Sequence, residues 1–130
     1  MFFKDLEVKD ILDLPVLSLA YVGDAVYDLY VREHLITKGC FKPIELHKMT
    51  VSLVNASSQK ESLMKIMDLL TEKELNYVQR GRNAKIKTKP KNANGADYSY
   101  ATALEVLIGY LYVNKEHERL DYLLDIMLDL

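Results

Sequence analysis

The amino-acid sequence predicts an all-α protein, and three observations support this fold class. Apolar residues recur at intervals of three and four along most of the 130 residues, as they do on the buried face of a helix. No stretch alternates apolar and polar residues in the way of a half-buried strand. Proline, glycine and capping residues stand where helices of this spacing would begin or end. Since no linker or internal repeat is visible, one domain is predicted over residues 1–130.

Four helices are predicted in the first half of the chain, over residues 4–13, 15–37, 43–57 and 58–70. Pro15 and Pro43 suit the first turns of their helices, because a helix start leaves the amide hydrogen that proline lacks without a partner. Gly39 is the predicted stop of the long helix, since glycine readily adopts the conformation that ends one. Ser57 or Ser58 is the predicted cap of the fourth helix.

The second half of the chain has one predicted loop and three predicted helices. Thr71 and Glu74 have the spacing of a capping box, so a helix begins there and ends between residues 81 and 85. Residues 86–97 contain a proline, two asparagines and a glycine without an apolar period, which predicts a loop. The last two helices are predicted over residues 98–114 and from Glu116 onward.

The composition is that of a globular protein. Hydrophobic residues make up 49% and charged residues 28% of the sequence. No apolar run approaches the roughly 18 residues that span a bilayer, and acids follow the first residues where a secretory leader would continue its apolar core. Cys40 is the single cysteine, which excludes an intrachain disulfide and favours a reducing cytoplasm. One cysteine and three histidines also leave no zinc ligand set.

The distribution of charge predicts a polyanionic partner, although the net charge of −2 alone argues against one. Residues 80–91 contain six basic residues and no acid. A basic run is usually a solvated face, but this density exceeds that expectation and favours contacts with phosphates. The predicted phosphate contacts are Arg80, Arg82, Lys85, Lys87, Lys89 and Lys91.

Asp24 stands within an apolar stretch of the long predicted helix. It lies among residues with the spacing of a buried helical face, namely Val22, Val26, Leu29 and Tyr30. No lysine or arginine occurs one turn away from it, and an ionised carboxylate withdrawn from water without a partner costs several kcal/mol. A cation from outside the chain would remove that cost. The alternative is an aspartate at the edge of the face, half solvated or capping another helix.

Glu105 has the same setting in the second apolar helix. No base lies one turn away, and a glycine is close to each acid, Gly23 before Asp24 and Gly109 one turn after Glu105. Glycine within a helix costs roughly 1 kcal/mol relative to alanine, so it usually marks a close approach to the backbone. Two such helices in one small chain favour a metal site shared between them. The alternative for Glu105 is a structural pair with a distant arginine or lysine.

These stretches resemble the ribonuclease III family. Residues 20–27, with the run Gly-Asp-Ala-Val, are similar to the signature helix of its catalytic domain, and residues 105–110 are similar to its second acidic helix. Residues 80–85 and 109–112 resemble the Mini-III branch, a ribonuclease III reduced to the catalytic domain. The resemblance covers essentially the whole chain. It implies a ribonuclease III-like endonuclease domain of about seven helices without a separate double-stranded-RNA-binding domain.

The resemblance also implies an activity and partners. A homodimer would hydrolyse phosphodiesters of double-stranded RNA with Mg²⁺, for which Mn²⁺ substitutes, and leave short 3′ overhangs. Asp24 and Glu105 are the expected catalytic residues and metal ligands, and Mg²⁺ is commonly held by one or two carboxylates together with phosphate and water. The implied substrate is the paired stem of the 23S ribosomal RNA precursor, presented in the cytoplasm with the help of a ribosomal protein and without a membrane.

Two departures from the family pattern leave the number of metal ions open. The family has a glutamate where this chain has Ala20 and an aspartate where it has Thr102. Tyr98 and Tyr100, next to the basic run, are the tyrosines considered for RNA contact. Two other functions stay open, a catalytically inactive RNA-binding scaffold on the same fold and a Mg²⁺-dependent all-α nucleotide pyrophosphohydrolase. The pyrophosphohydrolase typically requires clustered acids on one helix, and this sequence has none.

Overall fold

The computed structural model describes residues 11–84 and 95–129 of the chain. Within these two ranges the structure contains six α-helices, a short 3-10 helix and no strand, so the predicted all-α class is confirmed. The 3-10 helix, Met67–Leu69, lies between α3 and α4. The α-helices are α1 (Val16–Thr37), α2 (Pro43–Val54), α3 (Ala56–Ile66), α4 (Glu72–Asn83), α5 (Gly95–Val113) and α6 (His117–Met127).

Helix α5 lies at the centre of the fold. It packs against α1, α3, α4 and α6, and most of its residues are buried. A helix that is apolar on every side is stable only when other elements cover it, which explains this position. Its fully buried side chains include Leu104, Leu107, Ile108 and Leu111. No helix among the described residues is both long and apolar enough to cross a bilayer.

Helix α4 begins with the predicted capping box. The Thr71 hydroxyl accepts a hydrogen bond from the Glu74 amide at 3.2 Å, and the Glu74 carboxylate accepts one from the Thr71 amide at 2.9 Å. The same carboxylate accepts two hydrogen bonds of 2.9 Å from the Arg119 guanidinium, which also donates to the Leu69 carbonyl. The bidentate pair joins α4 to α6. Glu74 is therefore a structural acid.

Asn55 determines where α2 ends and α3 begins, and the predicted boundary was wrong here. Its amide nitrogen donates to the carbonyls of Val51 and Ser52, while its side-chain oxygen accepts from the Ser58 amide at 2.9 Å. Helix α2 therefore stops at Val54, before the predicted end at residue 57, and Asn55 is the cap instead of a serine. Helix α3 also ends earlier than predicted, at Ile66, where the 3-10 turn replaces it.

Two further predictions are corrected at the start of α5 and on α1. Helix α5 begins at Gly95, so residues 95–97 are helical where a loop was predicted. Leu29 was assigned to the buried face of α1 but is 54% exposed, because the face that packs on α5 runs through other positions of the helix. The remaining loop residues and most of the predicted helix over residues 4–13 lie outside the described ranges.

Candidate active site

Helices α1 and α5 cross in direct backbone contact, which glycine makes possible. A Cβ atom at position 23 would lie 2.7 Å from the Glu105 carbonyl carbon and 2.9 Å from the Gly109 amide nitrogen. A Cβ atom at position 109 would lie 2.7 Å from the Leu19 carbonyl carbon. Since side chains do not tolerate such distances, Gly23 and Gly109 are required at the crossing. The prediction that they mark a close approach is confirmed.

The crossing brings the carboxyl groups of Asp24 and Glu105 together. The two side chains are within hydrogen-bonding distance, with Asp24 exposed and Glu105 half-buried. Burial, followed by the negative charge of Asp24 and the hydrogen bond with it, raises the pKa of Glu105 from 4.5 to about 8. Glu105 therefore carries a proton at neutral pH when only Asp24 faces it, as in other pairs of neighbouring carboxyl groups.

No base neutralises this pair within the described part of the chain. The salt bridges found there join Arg32 to Asp28, Lys60 to Asp97 and Arg119 to Glu74, and none involves Asp24 or Glu105. The described residues therefore do not contain the alternative considered for Glu105, a structural pair with a distant arginine or lysine. The role of a paired structural acid falls to Glu74 instead.

The pair has two carboxyl groups and no third ligand among residues 11–84 and 95–129. No group of three or more histidine, cysteine, aspartate or glutamate side chains able to hold a metal occurs there. Ala20, one turn before Asp24, is buried and offers no ligand atom. The hydroxyl of Thr102 donates to the Tyr98 carbonyl at 3.0 Å. Two hard oxygen donors without a base fit a cation such as Mg²⁺ that keeps water or phosphate as its other ligands.

The structure describes two of the six predicted phosphate contacts. Arg80 and Arg82 lie exposed in the last turn of α4. Their guanidinium groups lie over different rings, Arg80 at 5.2 Å from the centre of Tyr77 and Arg82 at 3.9 Å from the centre of Tyr100. Tyr100, one of the two tyrosines considered for RNA contact, thus lies under the guanidinium of Arg82. The other four predicted contacts, Lys85, Lys87, Lys89 and Lys91, lie outside the described residues.

The sequence analysis did not identify Lys60. Its ammonium lies 3.4 Å from the Asp97 carboxylate and 5.3 Å from the centre of the Tyr100 ring. This lysine is on α3, twenty residues before the basic run, and no local pattern in the sequence connects it with that run. Only the packing of α3 against α5 brings it to the same ring as Arg82.

The fold and the site together define a class of protein, an all-α domain with two paired acids where its central helices cross. Comparison with known families identifies this class. The family model described as "Ribonuclease III domain" matches residues 17–116. The chain therefore belongs to the ribonuclease III family. It is an endoribonuclease, that is, a hydrolase that cuts within RNA chains.

Its relatives are Mini-ribonuclease 3 proteins, which confirms the resemblance to that branch. The one from Brevibacillus brevis is 51% identical over 104 residues, covering 80% of this chain and 78% of the relative. The one from Enterococcus faecalis is 44% identical over 121 residues and 91% of each chain. A crystal structure of a Fusobacterium nucleatum protein matches with a TM-score of 0.83 at 33% identity, covering 92% of this chain and 96% of that one.

Proposed function

We propose that this endoribonuclease cleaves double-stranded RNA with Mg²⁺, or with Mn²⁺ in its place, held by Asp24 and Glu105. The observation that carries the proposal is the meeting of these two carboxyl groups without a base among the described residues. Burial of the Glu105 carboxylate beside the charge of Asp24 is unfavourable unless a proton or a cation compensates for it. A divalent cation satisfies both carboxylates at once, and its remaining coordination positions are then available to RNA phosphate and water.

The acidic and basic residues of the proposed site have different roles. Asp24 is exposed and faces the incoming phosphate, whereas Glu105 is half-buried and gives up its proton when a cation binds. When bound, Mg²⁺ supplies a Lewis acid that orients the scissile phosphate and offsets the charge that develops on it. Arg80, Arg82 and the lysines of residues 85–91 hold neighbouring phosphates, which positions the duplex without reading its sequence.

A homodimer is part of the proposal. Helix α1 has an exposed face that is apolar at every fourth position, with Leu17, Tyr21, Ala25 and Leu29. Tyr21 is 84% exposed and lies three residues before Asp24. A second copy would cover this stripe with the same surface, as in a two-fold symmetric interface. Two sites would then face one duplex, whose backbones can be read by shape across the wide minor groove.

The resemblance to the Mini-III branch supports a natural substrate. We propose the paired stem of the 23S ribosomal RNA precursor, cut in the cytoplasm, with a ribosomal protein helping to present it. The basic groups on α4 would contact the phosphates of any regular duplex stem, so they do not select one stem. Recognition of one particular stem then depends on how that stem is presented.

The test of the proposed function is cleavage of a long RNA duplex and of the precursor stem in Mg²⁺, using Asp24→Asn and Glu105→Gln. Each substitution removes one ligand charge but keeps the size of the side chain. Loss of several kcal/mol of transition-state stabilisation predicts at least about a hundredfold slower cleavage. Asp28→Asn is the matched control, because Asp28 is on the same helix and pairs with Arg32 at 3.1 Å. It should cleave as the wild-type protein does.

Two parallel assays of the wild-type protein, duplex RNA binding and hydrolysis of a nucleoside triphosphate, separate the other functions considered. A wild-type protein that binds duplex RNA and Mg²⁺ without cutting would be the scaffold. Hydrolysis of a nucleoside triphosphate in place of the duplex would indicate the pyrophosphohydrolase. Full duplex cleavage by both Asp24→Asn and Glu105→Gln would remove the two acids from the site.

A further inference from the structure

Two cations from different helices lie against one aromatic ring at the start of α5. The guanidinium of Arg82, from α4, is 3.9 Å from the centre of the Tyr100 ring, and the ammonium of Lys60, from α3, is 5.3 Å from it. Cations are attracted to the electron-rich face of an aromatic ring. The ring therefore holds together two charges that would otherwise repel each other.

The cluster has an excess of positive charge that reaches solvent. Asp97 approaches Lys60 at 3.4 Å, which leaves two positive charges against one negative charge in the set of Lys60, Arg82 and Asp97. The Lys60 side chain is 38% exposed and Arg82 is exposed. A lysine ammonium and an arginine guanidinium that lie over the same ring and are open to water match the phosphate oxygens of a nucleic acid.

The cluster is also continuous with the predicted basic run. Arg82 is the last described basic residue before the four lysines of residues 85–91, and α5 begins directly after that segment, at Gly95. The Ser99 hydroxyl donates to the Arg82 carbonyl at 3.0 Å, which fixes the end of α4 against the first turns of α5. The cluster thus lies between the last turn of α4 and the first turns of α5.

We propose that Lys60, together with Arg82 on the ring of Tyr100, binds a backbone phosphate of the RNA duplex and extends the binding surface onto α3. Lys60 is a positioning residue for the substrate, with no part in the chemistry at Asp24 and Glu105. Asp97 orients the lysine and competes with RNA for its charge. This inference rests on the proposed function, because it takes double-stranded RNA as the ligand.

The test measures affinity for a short RNA duplex in EDTA at several salt concentrations, for Lys60→Met and Lys65→Met. Methionine keeps an apolar stem on Tyr100 and removes the charge. Affinity falls as salt rises, and losing one phosphate contact reduces the magnitude of the slope of log affinity against log salt by about 1. The ratio of wild-type to variant affinity therefore falls roughly fourfold between about 50 and 200 mM salt. Lys65→Met is the matched control, because Lys65 is on the same helix and donates to the Met127 carbonyl. Its slope should equal that of the wild type.

Two more variants make the result specific. Lys60→Arg should restore the wild-type slope, since it restores the charge, and Asp97→Asn should tighten RNA binding, since it removes the competing acid. An unchanged slope in Lys60→Met, or a slope lowered equally in Lys65→Met, overturns the proposal. Because EDTA prevents metal-dependent cleavage, the outcome is independent of whether the protein cuts RNA, and failure of the proposed function is seen separately in Mg²⁺.

Discussion

Glu74 and Glu105 are both partly or fully withdrawn from water, and their neighbours decide the role of each. Burial acts to raise the pKa of Glu74, but hydrogen bonds from Arg119 and Thr71 outweigh it and hold the pKa below its usual range. Glu105 faces Asp24 instead of a base, so burial and the charge of Asp24 both raise its pKa. Glu74 therefore stays charged in a fixed pair. Under the proposed function, Glu105 exchanges its proton for a cation, and a strongly shifted pKa is common among functional groups.

The raised pKa of Glu105 predicts how stability depends on pH in the metal-free protein. The folded protein keeps the Glu105 proton up to a pH of about 8, whereas the unfolded chain releases it above about 4.5. Unfolding therefore releases a proton between these values, and this group lowers the free energy of unfolding by about 1.4 kcal/mol per pH unit there. Its contribution is complete below the lower value and lost above the upper one. Urea unfolding in EDTA across this range measures the effect.

Glu105→Gln is the control for that measurement, because glutamine does not titrate. The variant should gain stability relative to the wild type as the pH rises from about 4.5 to about 8, and the difference should then level off. If the difference between the two proteins were constant over this range, Glu105 would have an ordinary pKa, and the contact with Asp24 would not exist in solution.

At the scale of the helices, the crossing of α1 and α5 predicts the effect of Gly109→Ala. The added methyl group would meet the backbone of α1 at Leu19. A helix backbone cannot rotate away as a side chain can, so we expect a loss of at least about 3 kcal/mol, the upper end for overpacked cores. Any fraction that folds should bind Mn²⁺ more weakly, because the two acids move apart. Chemical denaturation and Mn²⁺ titration measure the two effects.

Gly39→Ala is the matched control for the crossing. Position 39 has open space around it and a φ of 94°, so alanine there meets backbone strain but no neighbouring atom. That strain costs roughly 1–2 kcal/mol and leaves the acids in place. A Gly109→Ala protein as stable as Gly39→Ala would show that the helices do not touch as described.

Local patterns in the sequence were enough for the elements whose causes lie within a few residues. The capping box of Thr71 and Glu74 is recognisable from four consecutive residues. The glycines near the two acids are equally local signals. The end of α2 and the start of α3 were misplaced because Asn55 competes with Ser57 and Ser58, and propensity alone does not rank these residues as caps.

The parts that the sequence did not predict depend on contacts between distant segments. Arg119 meets Glu74 across 45 residues, and Lys60 meets Asp97 only because α3 packs on α5. The meeting of Asp24 and Glu105 was predicted because each shows the same local anomaly, an acid without a base in an apolar helix. Such an anomaly can be recognised from the sequence of a single helix, whereas an ion pair between two helices requires both partners to be known.

At the scale of the whole molecule, the apolar stripe of α1 predicts the assembly. Tyr21→Asp places a charge in the middle of the face that a second copy would cover, so the dimer should become a monomer in sedimentation velocity. Tyr122→Asp is the control, because Tyr122 is also an exposed tyrosine but lies on α6. It should remain a dimer. A wild-type protein that sediments as a monomer, or a dimeric Tyr21→Asp protein, would contradict the proposed interface.

The position of the two acids along the chain has a consequence for biosynthesis. Asp24 belongs to the first fifth of the 130 residues and Glu105 to the last fifth, and they meet only when α5 packs on α1. A growing polypeptide therefore exposes one acid long before the other has been translated. Under the proposed function, a nascent chain without α5 lacks one of the two metal ligands, so the ability to cut RNA arises only after Glu105 has been translated.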